Sequence, residues 1–283
     1  MKWYKKYLPV YGRPYESVES SILHEINEKI STHNKEEHPT ASVVVIAHNE
    51  QDNLIACLWS LANNKSRHSF EIIGIDNNST DQTEYVYRQC GVRYFKELRK
   101  GPGFARSCGQ DHARGKYYLC IDADTLYPPL YIETMLSYLE KKDVAAVTGI
   151  YRFIPDGKFS SISLLLYDFA RFCHFKSLMI KRPEAVARGA VFCYKTELGR
   201  EVGYRTDIKR GEDGSMALRL KKYGKIILVT NRKAWALTSY RSILGDGSML
   251  QILKRQIAKH MKHFFFYFKP KKVFKDEESN LIK

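Results

Sequence analysis

Three polar clusters follow apolar runs in this chain: Ala47-His48-Asn49-Glu50 after ASVVVI, Asp76-Asn77-Asn78-Ser79-Thr80-Asp81 after EIIGI, and Asp122-Ala123-Asp124 after KYYLCI. Acidic and amide groups brought to one edge can hold a base, a ribose and a divalent cation. The Asp-x-Asp pair is the sharpest of the three. Mg²⁺ and Mn²⁺ prefer oxygen donors, and Mg²⁺ is commonly held by one or two carboxylates together with substrate phosphates. Such a pair can direct Asp124 to a metal and Asp122 to a ribose or a metal-bound water. For the isolated triplet, a solvated turn with Asx hydrogen bonds is the competing reading.

Two further stretches carry charge where a phosphate or a hydroxyl could use it. Lys100 and Arg106 flank Gly101-Pro102-Gly103, a loop that lets backbone approach phosphate just before a helix start. Arg106 is the better placed of the two, although a solvated basic face would leave the same pattern. Asp213, in Gly211-Glu212-Asp213, heads the helical stretch GSMALRLKKY closed by Gly224. It reads either as a helix cap or as a carboxylate base that takes the proton of an attacking hydroxyl. Glu212 can hydrogen-bond the attacking molecule, and Gly189, within 188–191, can form a floor beneath the group under attack.

The elements that must position these residues alternate. ASVVVIA reads as a strand buried on both faces, DNLIACLWSLANN as a helix, EIIGID as a strand, STDQTEYVYRQC as the start of a helix, and VRYF as a short strand. A helix over FARSCGQDHARG and the strand KYYLCID follow. Such alternation with short connections predicts an α/β fold: a mostly parallel central sheet with helices on both faces. From Tyr127 to about Arg182 the pattern is mixed; RGAVFCYKTEL, GEDGSMALRLKKYG and KIILVT then give strand, helix and strand. Three regions are expected: an N-terminal helical extension over 1–40, with an amphipathic helix near 16–31; the main domain over 41–232; and a basic, aromatic, helical tail over 233–283.

The chain has 283 residues and a net charge of +15, which implies a polyanionic partner: nucleic acid, an acidic membrane or phosphorylated substrates. No nucleic-acid motif accompanies the charge, so none is expected. Between Leu253 and Lys275, eight lysines and arginines interleave with Phe264, Phe265, Phe266, Tyr267, Phe268 and Phe274. A helix of that composition can lie in the headgroup plane of an anionic membrane. The six cysteines show no CxxC spacing and are expected to be reduced and mostly buried. The N-terminus has no signal-peptide core, and the longest apolar run is too short to span a bilayer. The expected location is cytoplasmic, peripheral on the inner face of the membrane.

Four stretches, VVVIAHNEQDNL, EIIGIDNNSTDQT, KGPGFARSCGQDHARGKYYLCIDADTLYPPLYI and RGAVFCYKTELGREVGY…GEDGSMALRLKKYGKI, resemble in order and spacing the inverting glycosyltransferases of family 2, over about residues 41–230. The resemblance implies a Rossmann-like GT-A fold. It also implies that Ala47, His48 and Glu50 line a nucleoside pocket, with Asp76 and Asn77 beside the base. Asp122, Ala123 and Asp124 match the family's Asp-x-Asp motif, with Asp124 on Mn²⁺ or Mg²⁺, and Asp213 matches its catalytic base. The implied donor is a nucleotide-diphosphate sugar, UDP-linked by preference, with GDP-mannose as the other donor. The acceptor is a glycan or a lipid-linked molecule of envelope polysaccharide or glycolipid synthesis. Some positions depart from the pattern: His48 stands where relatives often have Tyr, and Asn77 where Asp is frequent. The segment ALTSYRS offers Tyr240 and Arg241 where many relatives have a metal-side histidine.

Transfer from such a donor expels a diphosphate, and a metal with nearby cations stabilises the charge that develops there. No second carboxylate suited to a nucleophile can be identified, so inversion is expected. A sugar nucleotidyltransferase would need a glycine-rich segment where AHNEQDNL stands. A dehydrogenase would need more than the lone G-x-G of KGPGF. A non-catalytic basic adaptor on membrane or nucleic acid would have no use for Asp122, Asp124 and Asp213.

Overall fold

The computed structural model describes residues 2–155, 160–240 and 280–282. The tail segment from Leu253 to Lys275 and Arg241 lie outside the described residues. Short 3-10 turns between Trp3 and Ser17 lead into α1 (Ser20–His33), four residues later than the Ile spacing suggests. The alternating series follows: β1 (Ala41–Ala47), α2 (Gln51–Ala62), β2 (Phe70–Asp76), α3 (Thr83–Gln89), β3 (Arg93–Lys96), α4 (Pro102–His112) and β4 (Tyr117–Asp122). The second half runs β5 (Thr125–Leu126), α5 (Tyr131–Leu139), β6 (Val144–Thr148), β7 (Tyr151–Phe153), α6 (Ser161–Lys181), β8 (Phe192–Lys195), α7 (Thr196–Val202), α8 (Glu212–Leu220), β9 (Lys225–Leu228) and β10 (Ala236–Thr238).

A seven-stranded sheet in the order β3-β2-β1-β4-β8-β6-β9 forms the centre. β8 runs antiparallel to both neighbours, β4 and β6, and the other pairings are parallel. The β-branched run of β1 suits this place because both its faces are covered. Val43 and Val45 pack with residues of α1 and α2, while Val44 turns to the opposite face and packs with α4 and α8. The fold is the expected α/β type, a mostly parallel sheet with helices on both faces.

In register, Ala47 of β1 lies beside Asp76 of β2, and Ile46 beside Asp122 of β4. The three polar clusters of the sequence therefore leave the sheet at one edge. In open α/β sheets, that crevice beyond the strand ends is where ligands bind. A second, three-stranded sheet, β5-β10-β7, begins one residue after Asp124. The mixed region contains a 21-residue helix, α6, capped by Ser160, whose hydroxyl accepts from the Ser163 amide. The N-terminal segment packs on the same core as β1: Tyr7, Val10, Val18, Ile26 and Ile30 are buried in it.

Candidate active site

The strand ends are tied to one another by their own polar residues. Asn49 accepts from the Thr80 amide at 2.8 Å, and the Ser79 hydroxyl accepts from the Asn49 amide at 3.0 Å. Glu50 N donates to Thr83 Oγ1 at 2.8 Å, joining the starts of α2 and α3. Both turns need a left-handed residue, and asparagine tolerates it: Asn49 has φ 55° and Asn78 φ 56°.

Around this frame lies a cleft of about 380 Å³. Of the residues singled out in the sequence, Ala47, His48, Glu50, Asn77, Lys100, Arg106, Asp122, Ala123, Asp124, Glu212 and Asp213 line it. Asp76 and Gly189 do not. Asp76 is fully buried at the end of β2, where its Oδ1 accepts from Ser79 N at 3.2 Å. Gly189 lies beneath the cleft, where a side chain would collide with Arg106 Nη2 and Asp213 Oδ2.

Two side chains are engaged differently from their expected roles. Asn77 donates to the carbonyls of Glu97 (3.2 Å) and Arg99 (2.7 Å) and accepts from Gly101 N (2.9 Å). Its amide thus pins the loop leading to α4, which an aspartate could not do, since it lacks the donors. Arg106, expected beside a diphosphate, is fully buried, and its guanidinium is held by carboxylates. Nη2 lies 2.5 Å from Asp122 Oδ1, Nη1 donates to the Ile121 carbonyl at 3.1 Å, and Nε stands 3.9 Å from Asp213 Oδ1. Burial opposes the guanidinium's charge, yet the surrounding anionic groups, Asp122 and Asp213 among them, hold its pKa well above the ordinary value. Lys100, by contrast, is exposed on the cleft lining.

His48 Nδ1 donates to the Asn77 carbonyl at 2.8 Å, which leaves Nε2 of the neutral ring as an acceptor. Asp124 is oriented from three sides. The Thr125 and Thr238 hydroxyls donate to its Oδ1 at 3.2 and 3.3 Å, and Tyr11 Oη donates to its backbone carbonyl at 2.9 Å. Gly211, with φ 96°, caps α8, so Asp213 sits at the second helical position and makes no capping bond. The cap reading of Asp213 therefore fails. Its Oδ1 is buried without a hydrogen-bond partner beside the cleft, where a polar ligand atom could satisfy it. Desolvation, then the adjacent Asp213 carboxylate, pushes Glu212 up to about 8. Asp122 is pushed up to about 6, by desolvation first and against the pull of Arg106, with Asp124 and Asp213 adding to the rise.

Residues that sequence reasoning missed complete the site. Tyr127 Oη donates to the Ala190 carbonyl at 2.8 Å and accepts from Asp122 N at 3.3 Å, joining the Asp-x-Asp turn to the floor. Tyr127 directly follows the TL of β5, a position that could have flagged it. Tyr11 gave no signal, because nothing local marks a residue that acts 113 positions away.

No group of three or more His, Cys, Asp or Glu among the described residues is placed to hold a metal. The Asp-x-Asp turn instead offers carboxylate oxygens, with Asp124 oriented by hydroxyls and Asp122 two residues away. That fits a hard cation whose remaining ligands come from phosphate and water.

These features define a GT-A glycosyltransferase fold, as the solved structures it resembles show. The mannosyltransferase PcManGT from Pyrobaculum calidifontis, solved with GDP-Man and Mn²⁺, superposes with TM-score 0.58 at 18% identity, covering 86% of this chain and 72% of that one. TarS residues 1–349 of S. aureus, solved with UDP-GlcNAc, gives 0.57 at 18% identity, covering 75% and 60%. Residues 42–196 match the model of Glycosyl transferase family 2, and the chain belongs to that family. An uncharacterized glycosyltransferase of Rickettsia bellii is 27% identical over 123 residues, 42% of this chain and 18% of that protein. The chain spans about a fifth of the length of the Rickettsia relatives it matches first.

Proposed function

We propose that this protein transfers a sugar, with inversion, from a nucleotide-diphosphate sugar to an acceptor hydroxyl. The observation that carries the reading is the convergence of Asp122, Asp124 and Asp213 on one cleft at the carboxyl ends of β1, β2 and β4. Ala47, His48 and Glu50 form the nucleoside side, where His48 Nε2 can accept an imide N–H of the base. A UDP-sugar is the first choice of donor and GDP-mannose the second. Asp124 holds Mn²⁺ or Mg²⁺ together with the diphosphate; when bound, the ion stabilises negative charge on the leaving group. Lys100 adds a second positive charge on the open side of the cleft. Asp122, fixed by Arg106, faces the ribose.

Asp213 accepts the proton of the acceptor hydroxyl as it attacks the anomeric carbon. Arg106 bridges Asp122 and Asp213 and so sets the distance between donor and acceptor sides. Glu212 binds the acceptor as a hydrogen-bond donor while it is protonated, and Gly189 leaves room beneath the sugar. The acceptor is a glycan or a lipid-linked molecule of envelope polysaccharide or glycolipid synthesis. The basic, aromatic residues between Leu253 and Lys275 support a peripheral place on an anionic membrane. No helix among the described residues is long and apolar enough to cross one.

The experiment is a hydrolysis screen of nucleotide sugars with Mn²⁺ or Mg²⁺, reading released nucleotide. Release from one donor class, abolished by EDTA, is expected. No release from any donor, with or without candidate acceptors, would remove the reading.

A further inference from the structure

A second cleft, of about 750 Å³, is separate from the one just described. β10 places the two back to back. Thr238 turns its hydroxyl to Asp124, whereas Leu237 lines the second cleft, and successive residues of a strand point to opposite faces. The polar part of this cleft is cationic. Arg152 Nε lies 2.6 Å from Asp168 Oδ2 and Arg171 Nη2 lies 2.8 Å from Oδ1, with Arg232 also on the lining. Two guanidiniums thus share one carboxylate, and a third stands on the same lining. Arg171 is 9% exposed, and its Nη1 has no hydrogen-bond partner. A buried donor left unsatisfied in a cationic cleft points to an anionic ligand.

The outer wall is α6, and this helix is apolar on both sides. Leu164, Tyr167, Phe175 and Leu178 are buried against the body. Ile162, Leu165, Leu166 and Phe169, at the i, i+3, i+4, i+7 spacing of a single helix face, point outward and are each more than half exposed. A surface helix ordinarily shows water a polar face, and a continuous apolar stripe marks an interaction surface. Leu165 and Phe169 belong to both stripe and cleft, so the apolar surface runs without a break from the arginines to the outside. Trp235 stands at the junction, its ring 5.8 Å from the Arg152 guanidinium carbon and 5.6 Å from that of Arg232. A tryptophan beside cations at the rim of an apolar surface is the arrangement of a membrane interface.

We propose that this cleft and the outer face of α6 bind an anionic amphiphile presented by a lipid bilayer. Its acidic head lies against Arg152, Arg171 and Arg232, and its chain runs along Leu165 and Phe169. Ile162 and Leu166 enter the interfacial layer. The cleft's volume is within the range that encloses a drug-sized ligand, enough for a headgroup and the first part of a chain. This deepens the membrane-side reading above and uses no donor-site residue.

The test uses the full chain and vesicles whose acyl chains carry bromine, which quenches tryptophan on contact. Trp3 and Trp235 line the cleft. Brominated phosphatidylglycerol vesicles are expected to quench the emission, and brominated phosphatidylcholine vesicles to leave it nearly unchanged. The double variant Leu166→Ser/Phe169→Ser alters only exposed side chains, so it should keep the wild-type melting temperature and lose at least about half of the quench. It should still sediment with anionic vesicles through its tail. Equal quenching of wild type and variant, or equal quenching by the two lipids, would overturn the proposal. A wild-type dimer that the double variant splits, seen by light scattering, would give the stripe to a second copy instead. If inorganic phosphate raises the melting temperature as much as decyl phosphate below its micelle concentration, the cleft is a plain anion site and the lipid assignment falls. Loss of donor hydrolysis in the screen above, with quenching intact, would sink the transferase reading alone.

Discussion

Arg106, buried between Asp122 and Asp213, turns three side chains from α4, β4 and α8 into one unit. Removing one charge of that unit should affect the step in which it acts and leave the rest standing. Asp213→Asn keeps the side chain's shape and makes no difference to the helix cap, which Gly211 provides. Transfer is expected to fall by about 10²–10⁴-fold, with nucleotide affinity measured by calorimetry nearly unchanged. A matching collapse of nucleotide affinity would remove Asp213 from the acceptor side. Asp124→Ala should cost about a hundredfold or more in turnover, and full activity of that variant in the screen would contradict the metal role. Glu212 supplies a stability test. Its folded pKa of about 8 lies above the ordinary glutamate value of 4.5, so the folded state holds a proton that the unfolded state releases. The stability it confers is complete below about pH 4.5 and is lost as pH rises through about 8. Melting temperatures of the ligand-free protein should therefore fall over that window, and Glu212→Gln should flatten the fall. An identical slope in wild type and variant would show that Glu212 is not the group responsible.

The elements around the site are held by close backbone approach as much as by side chains. The short turn at Gly189–Val191 passes directly under Arg106 and Asp213, and a side chain at Gly189 would force Arg106 Nη2 and Asp213 Oδ2 to shift. Gly189→Ala is expected to displace the Arg106–Asp213 pair and lower turnover by at least about tenfold, at a stability cost of about 1–3 kcal/mol for overpacking. Urea unfolding and initial rates measure the two effects separately, and normal rates would show that the floor can yield. At this scale much was legible beforehand. β1, β2 and β4 announce themselves because double burial demands unbroken β-branched and aromatic runs, and their polar ends follow from the fold. The 161–181 helix was not legible, because Ile162, Leu165, Leu166 and Phe169 fill its outer face and blur the 3.6-residue period that one buried face would leave. Asn77 and Arg106 were legible as residues of the strand-end cleft but not in their bonding. Whether an amide or a guanidinium meets a ligand or its own fold depends on neighbours that come from other strands.

At the scale of the molecule, the site joins parts of the chain that lie far apart: Tyr11, the three strand ends, Thr238 and the start of α8. A ligand that binds only this assembled form must raise the melting temperature, by about 2.7 kcal/mol of added stability at a hundred times its dissociation constant. UDP or GDP with Mn²⁺ should therefore shift the melt, and neither nucleotide should do so fully in EDTA. A flat response to both nucleotides would favour a non-catalytic adaptor. The hydrogen bond from Tyr11 to the Asp124 carbonyl also has a consequence for synthesis. Residues 3–33 leave the ribosome well before the strands on which they pack, and Tyr11 must wait for Asp124. At about 5–20 residues per second that wait lasts roughly 6–23 s, during which Tyr7, Val10, Ile26 and Ile30 have only the earlier-made β1, α2 and β2 to pack on, without β4. Slower translation of the stretch between α1 and β5 would lengthen that exposure, so the codons there should influence how much protein reaches the folded state.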